Sequence, residues 1–159
     1  MKKPKIILVL ASSIDGRLSS PINKSAHIGS FEDKKILNNA ISTVDATIFG
    51  SGTLKVHQST FLTKKFINKT KFILKDSQPI SIIAGNPSNF KKEWIYFNQP
   101  IKRWLINSKQ QKTAKDLNFD KEFFYTDSWL QTLSDLKKEG IKKIALLGGA
   151  KLIHSFMME

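Results

Sequence analysis

The chain contains no cysteine. That excludes a disulfide framework and any thiolate-ligated metal, and makes a reducing cytoplasm the expected location. No apolar run approaches the ~20 residues of a membrane-spanning helix, so no membrane partner is expected. Acidic residues are scarce: 13 Asp and Glu stand against 26 Lys and Arg, a formal charge of +13. Arginine is scarcer still, present only as Arg17 and Arg103. Base-reading surfaces lean on arginine, and the lysines here are scattered in pairs along the chain. The charge therefore reads as a lysine-coated surface that attracts anionic ligands, and nucleic acid is not the expected partner. His27, His57 and His154 lack metal-ligand spacing, so no metal site is expected. Neither a paired-carboxylate motif nor a nucleophile pattern of the Ser-His-Asp or Cys-His kind is present. The start, MKKPKIILVLASS, superficially resembles a secretory leader. Its apolar run is short, however, and Asp15-Gly16-Arg17 occupies the place of a small-residue cleavage site, so it reads as a first strand.

What is present points to a single α/β domain over residues 1–159. The length suits one domain, and a chain of this size buries roughly 70% of its unfolded surface. Residues 5–11 are rich in Ile, Leu and Val without strict alternation, the pattern of a strand buried on both faces. Ser30 caps a helix whose stripe is Leu37, Ala40, Ile41 and Val44. Strands are expected over residues 46–49, 80–84, 103–106, 123–125 and 142–147, with residues 57–63 a loop and 64–79 a polar connection. Thr126 or Asp127 caps a helix with Leu130, Leu133 and Leu136 facing inward, and Gly140 ends it. A last helix runs from Ala150 to Met157. Strands alternating with helices indicate a largely parallel sheet between helical layers.

Three strand ends carry small residues: Ser12-Ser13-Ile14-Asp15-Gly16-Arg17, Gly50-Ser51-Gly52-Thr53 and Gly148-Gly149-Ala150-Lys151. Open α/β sheets bind ligands at strand carboxyl ends. Small residues let backbone amides approach a phosphate, and a following helix adds partial positive charge. The glycines also suit plain tight turns, and Asp15, a candidate acid, also suits an Asp-Gly turn. The spacing matches neither GxGxxG nor a P-loop. Phosphate-friendly turns without a nucleophile favour chemistry borne by a cofactor, such as hydride transfer.

These three segments, with Asp45-Ala46 before the second and Leu152 after the third, resemble in order and spacing the reductase domain of the bifunctional riboflavin-biosynthesis protein. That domain lies within the dihydrofolate reductase-like superfamily. The resemblance implies a three-layer α/β/α sandwich with a mostly parallel central sheet. It also implies NADPH-dependent reduction of 5-amino-6-(5-phosphoribosylamino)uracil by a homodimer. The cofactor side would hold Ser12, Gly50, Ser51, Gly52, Thr53, His57, Gly148, Gly149, Ala150, Lys151 and Leu152. The substrate side would hold Ser25, His27 and Lys64. The chain departs from the family pattern at several of these places. Leu147 stands where a glutamate is frequent, Ile41 and Lys64 where arginines are expected, His27 where a tryptophan is frequent, and His57 where Asp or Asn is frequent. The family pattern also continues with further strands beyond residue 159. Two alternatives follow: a related reductase with another pterin or carbonyl substrate, and an inactive fragment that needs a partner.

Overall fold

A computed structural model describes residues 2–18, 30–68, 71–108 and 116–159. Six strands form the main sheet: β1 (Lys5–Leu8), β2 (Ala46–Gly50), β5 (Ile80–Ala84), β6 (Arg103–Ser108), β7 (Lys121–Tyr125) and β8 (Lys143–Leu146). Two more, β3 (Lys64–Phe66) and β4 (Phe72–Leu74), pair antiparallel as a separate hairpin. The helices are α1 (Phe31–Ile41), α2 (Ser51–His57), the short α3 (Ile95–Asn98), α4 (Trp129–Lys138) and α5 (Ala150–Met157). The sheet order is β1-β8-β2-β5-β6-β7 and every neighbouring pair is parallel.

Alternation along the central strands sends successive side chains to opposite faces. Ile48, Ile82, Trp104, Ile106, Ile144 and Leu146 pack with Trp129, Leu133 and Leu136 of α4 and Ile153 of α5. Phe49, Ile83 and Leu105 pack on the other face with Leu54 of α2 and with Trp94, Tyr96 and Phe97 around α3. The sheet is thus sandwiched between two apolar layers. Arg103 ties the α3 segment down from β6, its guanidinium donating to the carbonyls of Tyr96, Gln99 and Ile101. Burial pushes the Tyr96 phenol far up, while its hydroxyl donates to Ser81 Oγ at 3.2 Å.

Several expectations are corrected. Residues 5–11 do not form a strand buried on both faces: β1 is an edge strand, and Leu8 is half exposed. Of the first helix's expected stripe, Ile41 is fully buried but Val44 lies beyond the helix end. The buried polar residue there, Asn38, bonds the backbone of Lys64 in both directions, at 2.7 and 2.9 Å. Residues 64–79 are not merely a connection, because they contain β3 and β4. His57 belongs to α2 rather than to the loop. Ser128, not Thr126 or Asp127, caps α4; Asp127 has φ of +82° and turns the chain into the cap. Leu130 faces outward.

Candidate functional site

Parallel pairing places all six strand carboxyl ends along one rim, and a cleft of about 1260 Å³ runs over them. The order β1-β8-β2 brings together loops that lie far apart in the sequence. The Gly50 N–H donates to the Gly148 carbonyl at 2.9 Å, and the Leu147 N–H donates to Ile48 at 2.9 Å. The two small-residue turns are therefore fastened to each other at the middle of the cleft. A Cβ at Gly149 would lie 3.3 Å from Thr53 Oγ1, and the Gly148–Gly149 peptide bond is cis.

Gly149 is the N-cap of α5 and supplies no side-chain acceptor for the first-turn amides. Those amides and the helix dipole leave a partial positive charge facing the cleft. Lys55, His57 and Lys151 also line it, and no Asp or Glu does among the described residues. A wall of small residues with cations and no carboxylate suits an anionic, extended ligand. At the far end stand Tyr125 and Trp129, ring centroids 4.9 Å apart. Burial, with Glu159 and Asp127 nearby, raises the pKa of the Tyr125 phenol above its ordinary value.

The expected cofactor residues Gly50, Ser51, Gly52, Thr53, His57, Gly148, Gly149, Ala150, Lys151 and Leu152 all line this one cleft. Ser12 does not, although its neighbours Leu10 and Ala11 do. Asp15 lies in a surface turn apart from the lining, paired with Arg17 at 2.8 Å and accepting from Ser13 Oγ. Lys64 also lies apart from the lining, its ammonium 4.0 Å from the centroid of the Phe72 ring. Ser25 and His27 fall outside the described residues. Sequence reasoning missed Lys55, Gly85, Asn86, Asn107, Ser108, Tyr125 and Trp129, all of which line the cleft. The available signal was polar or small residues directly after apolar strands, at Ala84-Gly85-Asn86 and Ile106-Asn107-Ser108.

The model of the RibD C-terminal domain matches residues 4–159. Among solved structures, Acinetobacter baumannii RibD superposes with a TM-score of 0.81 at 19% identity, over 98% of this chain and 43% of that one. The Thermotoga maritima diaminohydroxyphosphoribosylaminopyrimidine deaminase/5-amino-6-(5-phosphoribosylamino)uracil reductase gives 0.78 at 16%, over 98% and 42%. The Saccharomyces riboflavin biosynthesis reductase Rib7 gives 0.64 at 18%, over 94% and 64%. At these identities the likeness establishes the fold, the dihydrofolate reductase-like α/β sandwich. The chain spans about two fifths of the length of the Acinetobacter and Thermotoga chains. No curated protein sequence matches it significantly.

Proposed function

The chain belongs to the RibD C-terminal domain family, and we propose from that premise that it is an NADPH-dependent reductase of 5-amino-6-(5-phosphoribosylamino)uracil. The observation that carries this reading is the junction of residues 50–53 with residues 148–151 in one lysine-bearing cleft that no carboxylate lines among the described residues. The residues fit a phosphorylated dinucleotide. A Cβ at Gly149 would make a tight 3.3 Å contact with Thr53 Oγ1, so glycine keeps the backbone there open without displacing the threonine. The uncapped first turn of α5 offers amides, and Lys151 adds charge.

When bound, the nicotinamide cofactor supplies the hydride. The chain's own part is positioning and electrostatics. Amides at the start of α5 and Thr53 Oγ1 would hold the pyrophosphate of such a cofactor. Leu147, Leu10 and Leu18 add apolar surface to the lining of the same cleft. The phosphorylated substrate enters a cleft whose positive charges favour its approach.

The test is oxidation of NADPH by the purified protein with 5-amino-6-(5-phosphoribosylamino)uracil, set against dihydrofolate as a control. Turnover with the aminouracil alone supports the reading. Turnover with dihydrofolate alone transfers the protein to another substrate, and turnover with neither overturns it.

A further inference from the structure

Helix α2 presents two distinct surfaces to the cleft, because residues four apart share a helical face. Thr53 and His57 form one pair, and Thr53 lies against Gly149 of the β8 turn. Ser51 and Lys55 form the other pair. Ser51 lies against the end of β5: a Cβ on Gly85 would fall 2.5 Å from Ser51 Oγ. Sharing the face of Ser51 assigns Lys55 to the β5 side of the cleft, which Gly85 and Asn86 also line, while Lys151 belongs to α5 after β8. In the sheet β2 separates β8 from β5, so the two lysines serve stations two strand spacings apart, about 10 Å. Lys55 is exposed, and among the described residues no carboxylate pairs with it.

A 2′-phosphorylated dinucleotide carries two separate anionic centres, the pyrophosphate and the ribose 2′-phosphate. The glycine turn, the start of α5 and Lys151 form the first station. A site selecting the unphosphorylated ribose places a carboxylate on its hydroxyls, whereas a cation receives the 2′-phosphate. On the β5 side the cleft offers Lys55, Ser51 and Asn86 and, among the described residues, no carboxylate. Resting on the proposed reading of this cleft as a nicotinamide dinucleotide site, we infer that Lys55 is the side chain that distinguishes the phosphorylated ribose from the free one. Ser51 and Asn86 add neutral hydrogen bonds to the same group. Lys55 is a specificity residue, remote from the reacting carbon.

The experiment measures dissociation constants for NADPH and NADH by energy transfer from tryptophan to the reduced nicotinamide, for the parent, Lys55→Met and Lys151→Met. Loss of one charge-assisted contact weakens NADPH binding to Lys55→Met roughly 10- to 100-fold and leaves NADH unchanged. Lys151→Met weakens both cofactors alike. Lys55→Arg, which keeps the charge, retains the preference, and added salt narrows the gap between parent and Lys55→Met. If the parent binds NADPH and Lys55→Met loses both cofactors equally, or neither, the inference fails while the cofactor assignment stands. If the parent binds neither cofactor, the assignment fails and the inference with it. Lys55 makes no core contact, so circular dichroism of the variant should match the parent.

Discussion

Gly149 and Thr53, 96 residues apart in sequence, approach until a Cβ on the glycine would lie 3.3 Å from the threonine Oγ1. The contact joins the first turns of α5 and α2 directly over the β8–β2 junction. A branched side chain at 149 would push Thr53 aside and cover the amides that face the ligand. Gly149→Val should weaken NADPH binding at least ~10-fold, since a lost contact to a charged group is typically worth 1.5–3 kcal/mol. Calorimetric titration of the folded variant checks it. Undiminished affinity would leave the glycine with only a turn-forming role.

Gly85 makes a second close approach. Its φ is +136°, and a Cβ would meet Ser51 Oγ at 2.5 Å and Ser51 Cβ at 2.9 Å. Rotating the hydroxyl relieves the first clash but not the second. Gly85→Ala should destabilise the fold by ~1–3 kcal/mol from backbone strain, with the clash added. Urea unfolding measures this, and a variant as stable as the parent would refute the close approach.

The Glu159 carboxylate closes the amino end of α4, accepting from the Trp129 N–H at 2.7 Å, the Leu130 N–H at 3.2 Å and Ser128 Oγ at 3.0 Å. These bonds, the Trp129 amide first, hold its pKa below the ordinary 4.5. A group whose pKa is lower folded than unfolded stabilises the fold above its unfolded pKa. That contribution is lost as pH falls through the folded value. Glu159→Ala should therefore melt below the parent at neutral pH, with the gap closing as the solution is acidified through the carboxylate range. A gap independent of pH would show that the charge plays no part.

How far these contacts are legible in the sequence depends on whether their cause is local. Gly148-Gly149 after an apolar run marks a strand end by itself, and Ser30, whose capping box with Asp33 forms as a helix start should, is equally self-contained. Residues 5–8 mislead because strand order is non-local. An apolar tetrapeptide reads alike at the centre or the edge of a sheet, and only the pairing of β1 with β8 alone settles it. The β3–β4 hairpin hides among lysines, its three-residue strands too short to show a period, and Asn38 of a distant helix fastens it. The cleft's β5–β7 half is hidden for the same reason. Lys55, Asn86 and Tyr125 carry no motif, and the parallel topology brings them to one rim.

Leu147 lines the cleft just before the glycine pair and packs beside the Phe49 and Leu54 cluster. The family resemblance places a glutamate there. If the substrate is the phosphoribosylaminouracil, Leu147→Glu should raise kcat/KM by supplying a missing polar contact. Such a contact is typically worth ~1–3 kcal/mol, or roughly 5- to 150-fold. Steady-state kinetics decides, with a thermal melt to confirm folding. A folded variant with no gain would tie Leu147 to a less polar substrate.

The most direct test of the central claim, that the cleft over the strand ends is a reduced dinucleotide phosphate site, is a titration of the parent protein with NADPH. Tryptophan emission is followed, because Trp129 lines the cleft. The expected result is saturable quenching with sensitised nicotinamide emission and a dissociation constant in the micromolar range or tighter, about −8 kcal/mol. The signal should be displaced by oxidised cofactor and shifted at least ~10-fold to higher NADPH concentration in Gly149→Val. Quenching that fails to saturate at millimolar NADPH, or that persists unchanged in Gly149→Val, would contradict it.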